Sequence, residues 1–145
     1  MGCCDQKEVV TSEKAPKAIG PYSVGIKAGH FVFVSGQLGF DPASGALVEG
    51  GVEAETRQLL TNMSNILQSA GTSLDNVVKT TVFLRDINDF AKMNAIYGEF
   101  FKANPPARSA FQVAALPRGA AVEIEAIALL PENVDCCCSD SESMP

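Results

Sequence analysis

The sequence predicts an α+β fold in which two helices cover one face of a mixed β-sheet. Three observations lead there. Six segments carry strand-like alternation or β-branched and aromatic enrichment, and two longer ones repeat apolar residues at helical spacing. Their order along the chain is β-β-β-α-β-α-β-β, which segregates helices to one side of a sheet. At 145 residues and 46% hydrophobic content, the chain suits one domain with a single core.

Residues 1–8 read as a flexible lead into a single domain over 9–131, followed by an acidic, cysteine-rich tail over 132–145. Val9-Val10-Thr11 predicts a short first strand. Gly20-Pro21 bends the chain and places Tyr22 at the head of a strand over 23–27. Ala28-Gly29-His30 is a tight turn into a strand over 31–35, rich in phenylalanine and valine. Gly36 ends it and permits a bulge or a close backbone approach, with the Ser35 hydroxyl beside it. Asp41-Pro42-Ala43-Ser44-Gly45 is a turn.

Leu59, Leu60, Met63, Ile66, Leu67 and Ala70 predict a helix over 52–70, stopped by Gly71. A valine- and threonine-rich strand follows over 76–84. Asn88 is placed to cap a second helix over 89–103, with Phe90, Met93, Tyr97 and Phe101 on its buried stripe. Pro105-Pro106 ends that helix.

The stretch 106–130 reads as a β-hairpin turning at Leu116-Pro117-Arg118-Gly119. In its second run Val122, Ile124, Ala126 and Ala128 share a face, opposite Glu123 and Glu125. In the first, Ser109, Phe111 and Val113 oppose Arg108, Ala110 and Gln112. Aligning the more apolar faces puts Arg108 and Gln112 on the same side of the sheet as Glu123 and Glu125. A guanidinium matches a carboxylate ligand, and a carboxylate nearby can deprotonate a water. The same residues also make an ordinary cross-strand ion pair on a solvated face. The face bearing them is expected to be polar, with small residues suited to close approach by another copy, so that Arg108 and Glu123 lie in clefts between subunits.

Composition narrows the function classes. The formal net charge is −6, and there is no basic cluster, so nucleic acid is not expected as the main partner. Glu132, Asp135, Asp140 and Glu142 carry four of those charges, and removing four from −6 leaves the body near −2. No apolar run approaches the roughly 20 residues of a membrane helix, and the first residues lack the apolar core of a secretory signal. Cys3, Cys4, Cys136, Cys137 and Cys138 all sit in the two tails, which suits a core without disulfides in a reducing, cytoplasmic setting. Their spacing is not that of a structural zinc site. Gly2, Cys3 and Cys4 resemble a dual-acylation signal except at Gln6, where Ser or Thr is wanted; membrane association is expected only if they are acylated. His30, the single histidine, has no partner in view and receives no catalytic role.

Six segments, in order over nearly the whole body, resemble the Rid (YjgF-like) family of reactive intermediate imine/enamine deaminases. They are Ala18-Ile19-Gly20-Pro21-Tyr22-Ser23, Val34-Ser35-Gly36-Gln37, Val78-Lys79-Thr80-Thr81-Val82-Phe83-Leu84, Asn94-Ala95-Ile96-Tyr97, Pro106-Ala107-Arg108-Ser109 and Glu123-Ile124-Glu125-Ala126-Ile127-Ala128. The resemblance implies a chorismate-mutase-like fold and a homotrimer. It implies that Arg108 grips the carboxylate of a 2-imino acid or its enamine, and that Glu123 activates the attacking water. Tyr22, Ser35 and Gly36 would line the pocket. It also implies that neither metal nor organic cofactor is needed, because the protonated imine is itself electrophilic. Ala110 stands where many deaminase members have cysteine; if that position contributes its backbone carbonyl to substrate binding, alanine keeps the role. Gln112 stands where many relatives have an acid. Two other functions remain in view, a carboxylate-binding regulatory module without turnover and an endoribonuclease or translation inhibitor.

Overall fold

The computed structural model describes residues 6–131; the cysteine-bearing ends of the chain, and the expectations placed on them, lie outside this range. The strands are β1 (Glu8–Val10), β2 (Gly25–Ala28), β3 (Phe31–Gln37), β4 (Val77–Leu84), β5 (Ala107–Gln112) and β6 (Val122–Leu129). Helix α1 spans Gly51–Ser69 and α2 spans Phe90–Phe100. The predicted order of elements is therefore the observed one, and the first strand begins one residue earlier, at Glu8.

One six-stranded sheet runs β1-β2-β3-β6-β4-β5. Only β4 and β5 pair in parallel; the remaining neighbours are antiparallel. Strands β3 and β4 both flank β6 in antiparallel fashion, so they run the same way, and α1 is the crossover between them. Helix α2 is the crossover from β4 to β5. Crossovers of one hand between parallel strands put both helices on the same side of the sheet. The core lies between, with Leu59, Leu60, Met63, Ile66 and Leu67 of α1 and Met93 of α2 all fully buried over Val32, Val82, Val122 and Ile124.

The expected hairpin does not form. β5 and β6 never pair, because β4 lies between them and uses both of its edges. The turn at Pro117–Gly119 instead carries the chain past β4. Strand β6 alternates buried with outward residues more regularly than any other, and it takes a central place in the sheet, where one face is wholly covered.

The facing of β5 is likewise reversed from the expected one. Ala110 packs against the core and Phe111 stays 45% exposed. Paired residues in a sheet share a face: Thr80 pairs with Arg108, and Phe83 pairs with Glu123. Thr80 and Phe83 are an odd number of residues apart on β4, so their side chains leave on opposite faces. Arg108 thus lies on the helix side, and Glu123 and Glu125 lie on the open side. The open face is also less polar than expected. Besides Lys79, Thr81 and Glu125 it presents Phe33 and Ile127 around a second hollow of about 310 Å³, with Phe31, Phe111 and Leu129 40–45% exposed.

Two ends of helices differ from expectation. Asn88 does not cap α2; its N–H donates at 2.9 Å to the Asp86 carboxylate, which caps a short 3₁₀ turn (Ile87–Asp89) leading into the helix. Helix α2 stops at Phe100, short of 103, where Phe101 leaves the helical region at ψ 77. Gly71 ends the α1 region at φ +89, as its position predicts.

Candidate active site

A cleft of about 660 Å³ opens where β3 and β6 meet, lined among others by Tyr22, Ser35, Gly36, Phe40, Arg118 and Glu123. Four of the residues singled out in the sequence, Tyr22, Ser35, Gly36 and Glu123, therefore share it. Arg108 and Ala110 do not: they sit on the far side of the sheet.

Gly36 lies at a register shift between β3 and β6, the bulge its sequence position allows. A Cβ there would fall 2.1 Å from Glu123 Oε1, so only glycine lets the carboxylate rest against this backbone. Glu123 is half-buried, and burial raises its pKa above the ordinary 4.5, helped by the neighbouring charge of Glu125. No described hydrogen-bond donor counteracts that rise. A carboxylate of this kind is a stronger base than one in water, and it is open to the cleft.

Ser35 acts as a tie. Its hydroxyl donates to the Ser23 carbonyl at 2.6 Å, and its N–H donates to the Val24 carbonyl at 3.0 Å, so the segment bearing Tyr22 is sewn to β3. Tyr22 is half-exposed, and its hydroxyl accepts from the Ile19 N–H at 3.4 Å across the Gly20-Pro21 bend. The other wall is held from below by α1. Buried Asn62 donates to the Phe40 carbonyl at 2.8 Å, and buried Glu55 accepts from the Ala121 N–H at 2.9 Å, just before β6.

Arg108 has a different setting. Its guanidinium carbon lies 4.7 Å from the ring centre of Tyr97 and 5.4 Å from that of Phe90, and Nη1 donates to Asn94 Oδ1 at 2.7 Å. Phe90, Asn94 and Tyr97 stand at i, i+4 and i+7 on α2, so one face of that helix forms the bed. Tyr97 is in turn fastened to Thr80 by a 2.7 Å hydroxyl–hydroxyl bond, and burial pushes its phenol upward in pKa. The guanidinium is oriented and keeps further N–H groups for a ligand. Sequence reasoning assigned Phe90 and Tyr97 to the core and gave Asn94, though part of a matching segment, no role; an amide between two aromatics at helical spacing was the available signal. It also overlooked Phe40 and Arg118. Among the described residues, no group of three or more His, Cys, Asp or Glu side chains gathers as metal ligands would. No described helix is long and apolar enough to cross a membrane.

Comparison with known proteins matches residues 12–130 to the family described as Endoribonuclease L-PSP. The chain is 54% identical over 123 residues to the human 2-iminobutanoate/2-iminopropanoate deaminase, covering 85% of this chain and 90% of that one. It is 53% identical over 122 residues to a RutC family protein of Pyrococcus horikoshii, covering 84% and 97%. Among solved structures, a Rid family protein from Yersinia pestis superposes with a TM-score of 0.84 at 46% identity, covering 86% of this chain and all of that one.

Proposed function

The chain belongs to the endoribonuclease L-PSP, or Rid, family, and on that premise we propose that it hydrolyses small reactive 2-imino acids and their enamine tautomers, 2-iminobutanoate and 2-iminopropanoate among them, to 2-oxo acids and ammonia. The observation that carries this reading is the similarity to the human deaminase along nearly the whole described body. The site geometry supports it with a half-buried carboxylate at a cleft and a guanidinium bedded on aromatic rings.

In a 2-imino acid the carboxylate carbon is bonded directly to the imine carbon. A group gripping the one and a group delivering water to the other must therefore stand within a few ångströms of each other. Within one copy, Arg108 and Glu123 lie on opposite faces of the sheet and cannot do so. The site is assembled between copies, with Arg108 and the Ala110 backbone from one subunit and Tyr22, Ser35, Gly36 and Glu123 from its neighbour. The exposed phenylalanines of the open face provide the apolar area for that assembly, a homotrimer with a site at each junction.

The chemistry follows from these placements. Arg108 holds the carboxylate by charge-assisted hydrogen bonds. Glu123 takes a proton as the water oxygen bonds to the imine carbon. It returns that proton to nitrogen as the C–N bond breaks and ammonia leaves; the hydroxyl proton departs as the carbonyl forms. An enamine is first protonated at C3 to enter as the imine. The iminium carbon is electrophilic unaided, so the residues above suffice.

The test couples a threonine dehydratase to the purified protein and follows 2-iminobutanoate by semicarbazide trapping. Wild type should speed loss of the imine, and Arg108→Ala should lose roughly 10²-fold or more in kcat/KM with the assembly intact, as expected when a charged partner is removed. Binding of 2-oxobutanoate without any acceleration by the wild type would reduce the site to a carboxylate-binding module.

A further inference from the structure

In a single copy, before a neighbour contributes Arg108, the cleft is larger than 2-iminobutanoate requires. Volumes of roughly 300–1,000 Å³ accommodate much bigger ligands, and this one measures about 660 Å³. Its far wall carries a cation for which the fold shows no use. Of the four arginines, Arg57 pairs with Glu99 at 2.6 Å, Arg85 donates to the Gly119 carbonyl at 2.7 Å, and Arg108 donates to Asn94. Of these four arginines, Arg118 alone makes no ion pair and no side-chain hydrogen bond to another described residue.

Its setting is nonetheless fixed. Arg118 stands at φ +55, a left-handed conformation that a side chain of this size adopts at a cost. The Arg85–Gly119 and Glu55–Ala121 hydrogen bonds pin the segment on its C-terminal side, and Ala120 and Ala121 are buried. The guanidinium lies over Phe40 with its centre 5.6 Å from the ring, and Phe40 is itself held by Asn62. A guanidinium laid on a ring face keeps its edge N–H groups free in one plane, the arrangement that binds a carboxylate through two parallel hydrogen bonds. Glu13 and Lys17, which also line the cleft, offset each other in charge.

We infer that Arg118 and Phe40 form a distal subsite that selects 2-imino acids whose side chain ends in a second carboxylate. This rests on the deaminase reading for the reaction but not for the binding. With the first carboxylate on Arg108 of a neighbouring copy and the imine carbon at Glu123, the side chain extends along the cleft toward Arg118, which takes its terminal carboxylate.

The experiment measures binding of two product analogues, 2-oxoglutarate and 2-oxobutanoate, by calorimetry to the assembled wild type, Arg118→Ala and Arg118→Lys. Turnover of 2-iminobutanoate is followed in parallel. Wild type should prefer the dicarboxylate by about tenfold or more, the yield of one charge-assisted pair. Alanine should bring that ratio close to one, and lysine should restore part of it. No preference in the wild type overturns the inference, as does an alanine variant that weakens both ligands by the same factor. If the wild type turns over no imine yet shows the preference, the deaminase reading falls and the distal subsite stands.

Discussion

At the scale of single residues, Glu123 in its proposed role as the base would couple catalysis to stability. Burial favours its neutral form, so the folded chain binds this proton more tightly than the unfolded chain does. Its contribution to stability is complete below the unfolded value near 4.5 and is lost as pH rises through the raised folded value. Near pH 7 the ionised group therefore opposes folding. Glu123→Gln should melt a few degrees higher than wild type at pH 7, with the gap closing toward pH 4, by thermal scans at both pH values. Activity should run the other way. The wild-type kcat/KM should fall as pH drops through the same raised value, because the base must be ionised, and Glu123→Gln should lose turnover at all pH values. Gly36 is the second sensitive point. Gly36→Ala places a methyl 2.1 Å from Glu123 Oε1, and the carboxylate can swing away. The fold should persist by circular dichroism while turnover falls about 10²-fold, the cost of displacing a catalytic group by an ångström or so.

At the scale of elements, α1 supports the site with polar side chains at positions where a core helix would be apolar. Glu55, Thr56 and Asn62 are all buried, and each has a backbone partner: Ala121, Val52 and Phe40. Gly39 allows this close docking, since a Cβ there would lie 2.7 Å from the Glu55 Cα. Glu55→Ala would orphan the Ala121 N–H and open a cavity, with an expected loss of about 1–3 kcal/mol from the unpaired donor. Denaturant titration checks this. Glu55→Gln keeps an acceptor and should lose less; an alanine variant as stable as wild type would show that water replaces the carboxylate there.

At the scale of the whole molecule, the apolar open face and the division of the site across the sheet make one claim. Phe33 is 43% exposed on β3. Light scattering on the wild type should give a mass near three times 15.3 kDa, and Phe33→Asp should shift it toward 15.3 kDa while abolishing imine turnover, although no residue of the site has changed. A wild type of 15.3 kDa would remove the shared site. Much of this protein was legible in its residues. Element order, the core stripe of α1, the close approach at Gly36 and the alternation of β6 depend on local periodicity and steric need, which the chain carries in itself. Alternation singled out Arg108 and Glu123 and suggested a cleft between copies; resemblance added Tyr22, Ser35, Gly36, Ala110 and the trimer, all as expectations. What sequence could not settle was which strand pairs with which. The stretch 106–130 has every local mark of a hairpin, yet β4 intervenes, and the choice between equally alternating neighbours is made by burial of the whole sheet under α1 and α2. That choice turns Arg108 toward the aromatic bed of α2 and leaves Glu123 on the open face. Period-two alternation says which residues share a face of one strand; only the packed sheet decides which face meets the helices.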